Sequence, residues 1–199
     1  MQRFILVGLL LIALLGGFNW WRHRAITHAP GMLATDVPAQ IDLGESNTLQ
    51  RGDFRLQTRA RFELIARVLS REDYRFDAGA ALAPTDLALG WGRMSDSDVL
   101  SQIQVSQGNR FYHWHVDHFP IPRREIEQSS ANMHMIPADD TARRELDHVR
   151  AGEVIHLQGF LVDASRADGW RWRTSMTRDD TGDGACELVY VESIEPVSP

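Results

Sequence analysis

The chain has 199 residues, a formal net charge of −6 and no lysine, so all 21 of its basic residues are arginine. That composition leaves room for one folded domain plus an N-terminal appendage, and it excludes Schiff-base, phosphate-loop-lysine and lysine-base chemistry. The acidic balance argues against nucleic acid as a partner, and one cysteine, Cys186, rules out an intramolecular disulfide.

Residues 1–3 form a short N-terminal tail. From Phe4 to Trp21 the chain reads FILVGLLLIALLGGFNWW, without a charge. As a helix this stretch would span about 27 Å, close to the thickness of the bilayer hydrocarbon. Trp20 and Trp21 stand where an interfacial aromatic belt is expected, followed by Arg22 and Arg24. A cleaved signal peptide is the alternative, but the residues after the apolar run are bulky where a signal peptidase needs small ones. The expectation is a signal-anchor over 4–21 in a bacterial inner membrane, with the C-terminal bulk in the periplasm or exterior. Residues 22–52, broken by Pro30, Gly31 and Pro38, read as a stem, and 53–199 as a single globular domain.

In that domain RARFELIARVLS alternates apolar and polar positions, the signature of a half-buried strand. Pro84, Gly90 and Gly92 then break the pattern, and Ser95 or Asp96 can cap a short helix through Leu100. Two alternating runs meet at Gln107-Gly108-Asn109, which predicts a hairpin. A short helix with Pro122 in its first turn follows, then one capped by Asp139 and running to about Arg150, with Ala138, Ala142, Leu146 and Val149 on one stripe. Three strands close the chain: GEVIHLQGFLVD, bent or bulged at Gly159, then GWRWRTSM and CELVYVESI. This predicts a β-rich α+β domain, a small OB-like Greek-key barrel with two or three short helices, preceded by one transmembrane helix.

The stretches DLALGWGRMSD, SANMHMIPADD and DDTGDGACELVYVE together resemble a group of uncharacterised bacterial single-pass membrane-anchored proteins. The resemblance covers most of residues 60–192 and implies one domain; no activity, cofactor or catalytic residue comes with it.

TRDDTGDGACELVYVE places Asp179, Thr181, Asp183 and Gly184 at the first, third, fifth and sixth positions of an EF-hand loop. The twelfth position needs a bidentate Glu and holds Tyr190, so the segment reads instead as the long connection of a late hairpin. The histidines of YHWHVDH put His113 and His115 on one strand face, a weak metal candidate against which chance clustering weighs, and no metal or cofactor is favoured. SSANMHMIPADD sets Asn132 and His134 beside acids without a nucleophile elbow. The candidate site is therefore Asn132, His134, Arg178, Asp180, Asp183 and Glu187. Arg171, Arg173 and Arg178 suit a phosphate- or carboxylate-bearing ligand or cross-strand pairing.

Two functions compete. One is a non-enzymatic membrane-tethered module that binds a membrane-protein partner or an envelope ligand. The other is a metal-assisted hydrolase, acting for example on phosphoesters, which requires histidine and acids in one pocket. A cysteine introduced into an exposed loop of the folded domain should react with a membrane-impermeant reagent in intact cells; protection until lysis would refute the topology.

Overall fold

In a computed structural model of the chain, residues 24–178, 180, 182 and 184–198 are described. The predicted span at 4–21 and site residue Asp183 lie outside them, and among the described residues no helix is long and apolar enough to cross a membrane.

The described elements are β1 (Ala39–Asp42), β2 (Thr48–Arg51), β3 (Phe54–Asp73), β4 (Thr85–Gly90), a 3-10 turn (Gly92–Ser95), α1 (Ser97–Leu100), β5 (Gln104–Gly108), β6 (Phe111–His115), α2 (Arg123–Gln128), β7 (Ser130–Pro137), α3 (Asp140–His148), β8 (Val154–Arg166), β9 (Arg171–Trp172) and β10 (Glu187–Pro196). The OB-like Greek-key barrel expected above is corrected by the pairing. The sheet has eight strands in the order β1-β3-β4-β7-β10-β8-β9, with β2 also on β3 and a further β3–β8 ladder; β5 and β6 form a separate two-stranded sheet.

The late hairpin is corrected as well. GWRWRTSM contributes only Arg171–Trp172, which pair with β8. Beyond those two residues the segment meets the start of β10 through isolated bonds, the Ser175 amide to Cys186 O and the Leu188 amide to Thr174 Oγ1, both at 3.0 Å, and among the described residues it forms no ladder with it.

The alternation read in RARFELIARVLS extends over all of β3, twenty residues long. Its inward positions Ala60, Phe62, Leu64, Ala66 and Val68 form the main core with Leu87 and Leu89 of β4, Met133 and Met135 of β7, Leu157 and Leu161 of β8, and Val189 and Val191 of β10. Each buried Val, Leu, Phe or Met among them stabilises the fold by about 1.5–3 kcal/mol, and the alanines by less. α3 closes this core with Leu146 and Val149, its N-terminus capped by Asp139 Oδ1, which accepts from the Thr141 and Ala142 amides at 2.8 and 2.9 Å. Asp96 caps α1 in the same way through the Asp98 amide. A second core on the opposite sheet face joins Phe54, Leu56, Leu82, Ile136, Val162 and Leu188 to Trp170 and Trp172.

Residues 24–51, expected as stem, are docked. The Ile26 amide donates to Ala151 O at 2.8 Å, the Leu33 and Ala34 amides to Ser95 Oγ at 3.1 Å, and β1 and β2 lie antiparallel on β3.

Gly159 faces Val191, beside the irregularity in β10 between Val191 and Ser193. A Cβ there would sit 1.9 Å from the Tyr190 carbonyl oxygen, so the glycine is required by backbone approach and the bulge lies on the partner strand. Gly159→Ala is expected to destabilise the fold by about 2–3 kcal/mol in urea denaturation; a loss below about 0.5 kcal/mol would contradict this packing.

Candidate functional site

A cavity of about 460 Å³ opens between the β5–β6 hairpin, the start of β7 and the segment leading into β10. Tyr112, Trp114 and Phe119 give it an aromatic wall, and Asn132, Arg178, Asp180 and Glu187 line the opposite side. Four of the six expected site residues thus line one cavity, Asn132 and Glu187 reaching it from opposite faces of the sheet, and His113 and His115 line it too, exposed.

His134 does not join them. Along β7 it pairs in register with Asp86 of β4 and Leu188 of β10, whereas Glu187 is in register with Met133. Partners across a ladder share a face and neighbours along a strand do not, so His134 and Glu187 point to opposite sides of the sheet. His134 therefore does not meet the acids of the cavity, whereas His115, the other histidine a hydrolase could use, lines the same cavity as Asp180 and Glu187. Among the described residues, no three of His, Cys, Asp and Glu come together closely enough to hold a metal ion.

An arginine–carboxyl contact lines the cavity. Arg178 Nη1 lies 2.7 Å from Glu187 Oε1, and Arg178 Nη2 donates to Gln40 Oε1 at 3.1 Å, with the guanidinium 5.5 Å over the Phe62 ring. Glu187 is 1% exposed. The contact is close but poorly aligned for hydrogen bonding, and Glu187 Oε2, Arg178 Nε and Arg178 Nη1 are buried without a hydrogen-bond partner. Burial pushes the Glu187 carboxyl up to about 8; Arg178 opposes that rise and Asp180 reinforces it. Asp180 itself accepts from Ser175 Oγ at 2.7 Å.

The other lining groups are spoken for. Ser130 Oγ donates its one proton to Ile126 O at 2.6 Å, so Tyr112 OH must donate to Ser130 Oγ, also at 2.6 Å. Burial pushes the Tyr112 hydroxyl up to about 12. Asn132 Oδ1 accepts from Gln107 Nε2 at 2.7 Å, and its Nδ2 donates to Arg110 O at 3.0 Å, so this residue pins the hairpin to β7. Cys186 lies beside it, its thiol pushed up to about 12 by burial, a neutral and unreactive state.

Behind the cavity, on the His134 face, stands a cluster that the sequence did not signal. Asp86 is fully buried; its Oδ1 accepts from Arg110 Nη1 at 2.8 Å and lies 2.9 Å from His134 Nδ1, which is misaligned for a hydrogen bond. Arg110 also donates to Ala83 O at 2.9 Å and to both oxygens of Asp77, and it stacks 3.8 Å over Tyr74. Trp172 packs 4.5 Å from the His134 ring. The hairpin reverses through Asn109 and Arg110, both at positive φ (52° and 70°), one residue later than predicted. A long side chain is disfavoured in that conformation, and the bonds anchoring Arg110 offset the strain.

Comparison with protein-family models, with curated proteins and with solved structures gives no match.

Because the Glu187 pKa stands above its ordinary 4.5, the fold is most stable with respect to this group below that pH. It loses stability as the pH rises towards about 8, by an amount on the order of a few kcal/mol. Glu187→Gln should flatten this slope in urea denaturation run from pH 4.5 to 8.5, and an unchanged slope would show that Glu187 is ionised throughout.

Proposed function

We propose that the chain is a non-catalytic binding domain, held at a bacterial inner membrane by residues 4–21 with its β-rich bulk outside the cytoplasm. Its cavity over Arg178 and Glu187 receives a polar group of a protein partner or envelope ligand. The observation that carries this reading is the Glu187 carboxyl, whose buried Oε2 has no hydrogen-bond partner, in a residue that lines an open cavity. A buried polar atom left unpaired costs about 1–3 kcal/mol. A guest polar group that pairs with this carboxyl would remove that cost, while Trp114 and Phe119 offer its apolar part a surface. The membrane tether supports the reading from the sequence side, since anchoring raises the local concentration of a module near membrane-bound partners.

The metal-assisted hydrolase gains less support. His134 faces away from the acids, and the remaining donors at the cavity gather into no set of three among the described residues.

A photo-cross-linking residue at Phe119, half exposed at the cavity rim, tests the reading in intact cells. The expected result is a discrete adduct that disappears when Arg178→Met and Glu187→Gln are combined. Adducts indifferent to those substitutions, or metal-dependent phosphoester hydrolysis abolished by Glu187→Gln, would overturn it.

A further inference from the structure

The outer face of β3, β8 and β9 carries a second concavity, of about 550 Å³, that the proposed function does not use. It is lined by Arg55, Arg59, Arg171 and Arg173, with Asp163 as the one acid. The ladders explain the convergence: Arg55 is in register with Ser165 and Ser165 with Arg171, while Gln57 is in register with Asp163. Arg55 and Arg171 therefore flank Ser165 on one row of the same sheet face.

Several arginines elsewhere have carboxylate partners, among them Arg61 with Glu192, Arg71 with Asp73, Arg93 with Glu125, Arg110 with Asp86 and Arg166 with Asp168, while others such as Arg67 and Arg144 bond to neutral oxygens. Here only Arg59 has one, Asp163 at 3.3 Å, and that carboxylate is shared with the Thr174 amide. Arg55, Arg171 and Arg173 make no ion pair, side-chain hydrogen bond or ring contact among the described residues, in a chain whose net charge is −6. Four arginines against one aspartate leave a surplus of three positive charges around a space the size of a small molecule. The hydroxyls of Thr48 and Ser165 line the same space.

We infer that this groove binds a small organic diphosphate. Guanidinium forks present paired N–H donors that match phosphate oxygens, and several forks around one concavity suit a multiply charged anion better than a single carboxylate. The groove is separate from the Arg178–Glu187 cavity, so the inference stands or falls independently of the function proposed above.

The test is calorimetric titration of the purified full chain in neutral detergent with inorganic pyrophosphate at low salt. Saturable one-to-one binding is expected, weakening with added salt. Combining Arg171→Ser and Arg173→Ser should weaken it at least about ten-fold, Asp163→Asn should tighten it, and Arg178→Met should leave it unchanged. The arginines are exposed, so circular dichroism can verify that the substituted chain stays folded. Absence of saturable binding, or binding insensitive to the paired arginine substitutions, would overturn the assignment. Sedimentation with phosphatidylglycerol vesicles but no pyrophosphate binding would overturn it too, marking the face as a membrane contact.

Discussion

The rest of the structure depends on the register of β3. Along one edge its residues Phe54 to Arg67 pair with β8; along the other it pairs in turn with β2, β1 and β4. One strand thus fixes four others, and because a slip of one residue would turn Phe62 and Leu64 outward and Arg61 and Glu63 inward, its alternating pattern admits a single alignment. The irregularities at Thr58/Ala60 and Val68/Ser70 bend the strand without losing that alternation across its centre. β8, held by β3, then positions β10, and β10 carries Glu187 at its first residue.

The sheet separates two arginine–carboxyl contacts, Arg110–Asp86 and Arg178–Glu187. Arg110 uses both terminal nitrogens and its Nε on Asp86, Asp77 and Ala83 O, and its planar face lies on Tyr74. That arrangement ties a hairpin of strained φ to the sheet, and its chemistry is used up internally. Arg178 and Glu187 touch but leave three polar atoms unmet. Buried charges are retained at a net cost unless fully hydrogen-bonded. Both clusters leave buried atoms unmet, Asp86 Oδ2 and His134 Nδ1 in the first as well as those of Arg178 and Glu187 in the second, but only the second lines the open cavity, and there a guest can gain.

Legibility in the sequence followed the strength of local signals. The period-two run in β3, the caps at Asp96 and Asp139 and the β5–β6 reversal depend on residues a few positions apart, and all were readable. β7 was not: it is buried over all eight residues, yet Ser130, Asn132 and His134 break its apolar run and hide it. Those polar residues are tolerated only because Tyr112, Gln107 and Asp86, distant in sequence, meet them. The same distance concealed Asp86 and Arg110, whose partnership spans twenty-four residues of chain. At the other extreme, the clean alternation of GWRWRTSM overstated a strand that pairs over only two residues. It sorted those two correctly, sending Trp172 to His134 and Arg171 to the arginine groove, but not Thr174 and Met176, which line that groove beside Arg171 and Arg173.

The docked segment before β1 has a mechanical consequence. Tension arriving from upstream of residue 24 meets, in order, the Ile26–Ala151 bond, the His28 contact to Gly152 O, the Gly31–Asp96 bond and the Ser95 hydroxyl gripping Leu33 and Ala34. Only after these does it reach the β1–β3 ladder. The segment is thus a strain relief, since force applied at residue 24 loads a peripheral strap before it can peel the sheet or disturb the cavity.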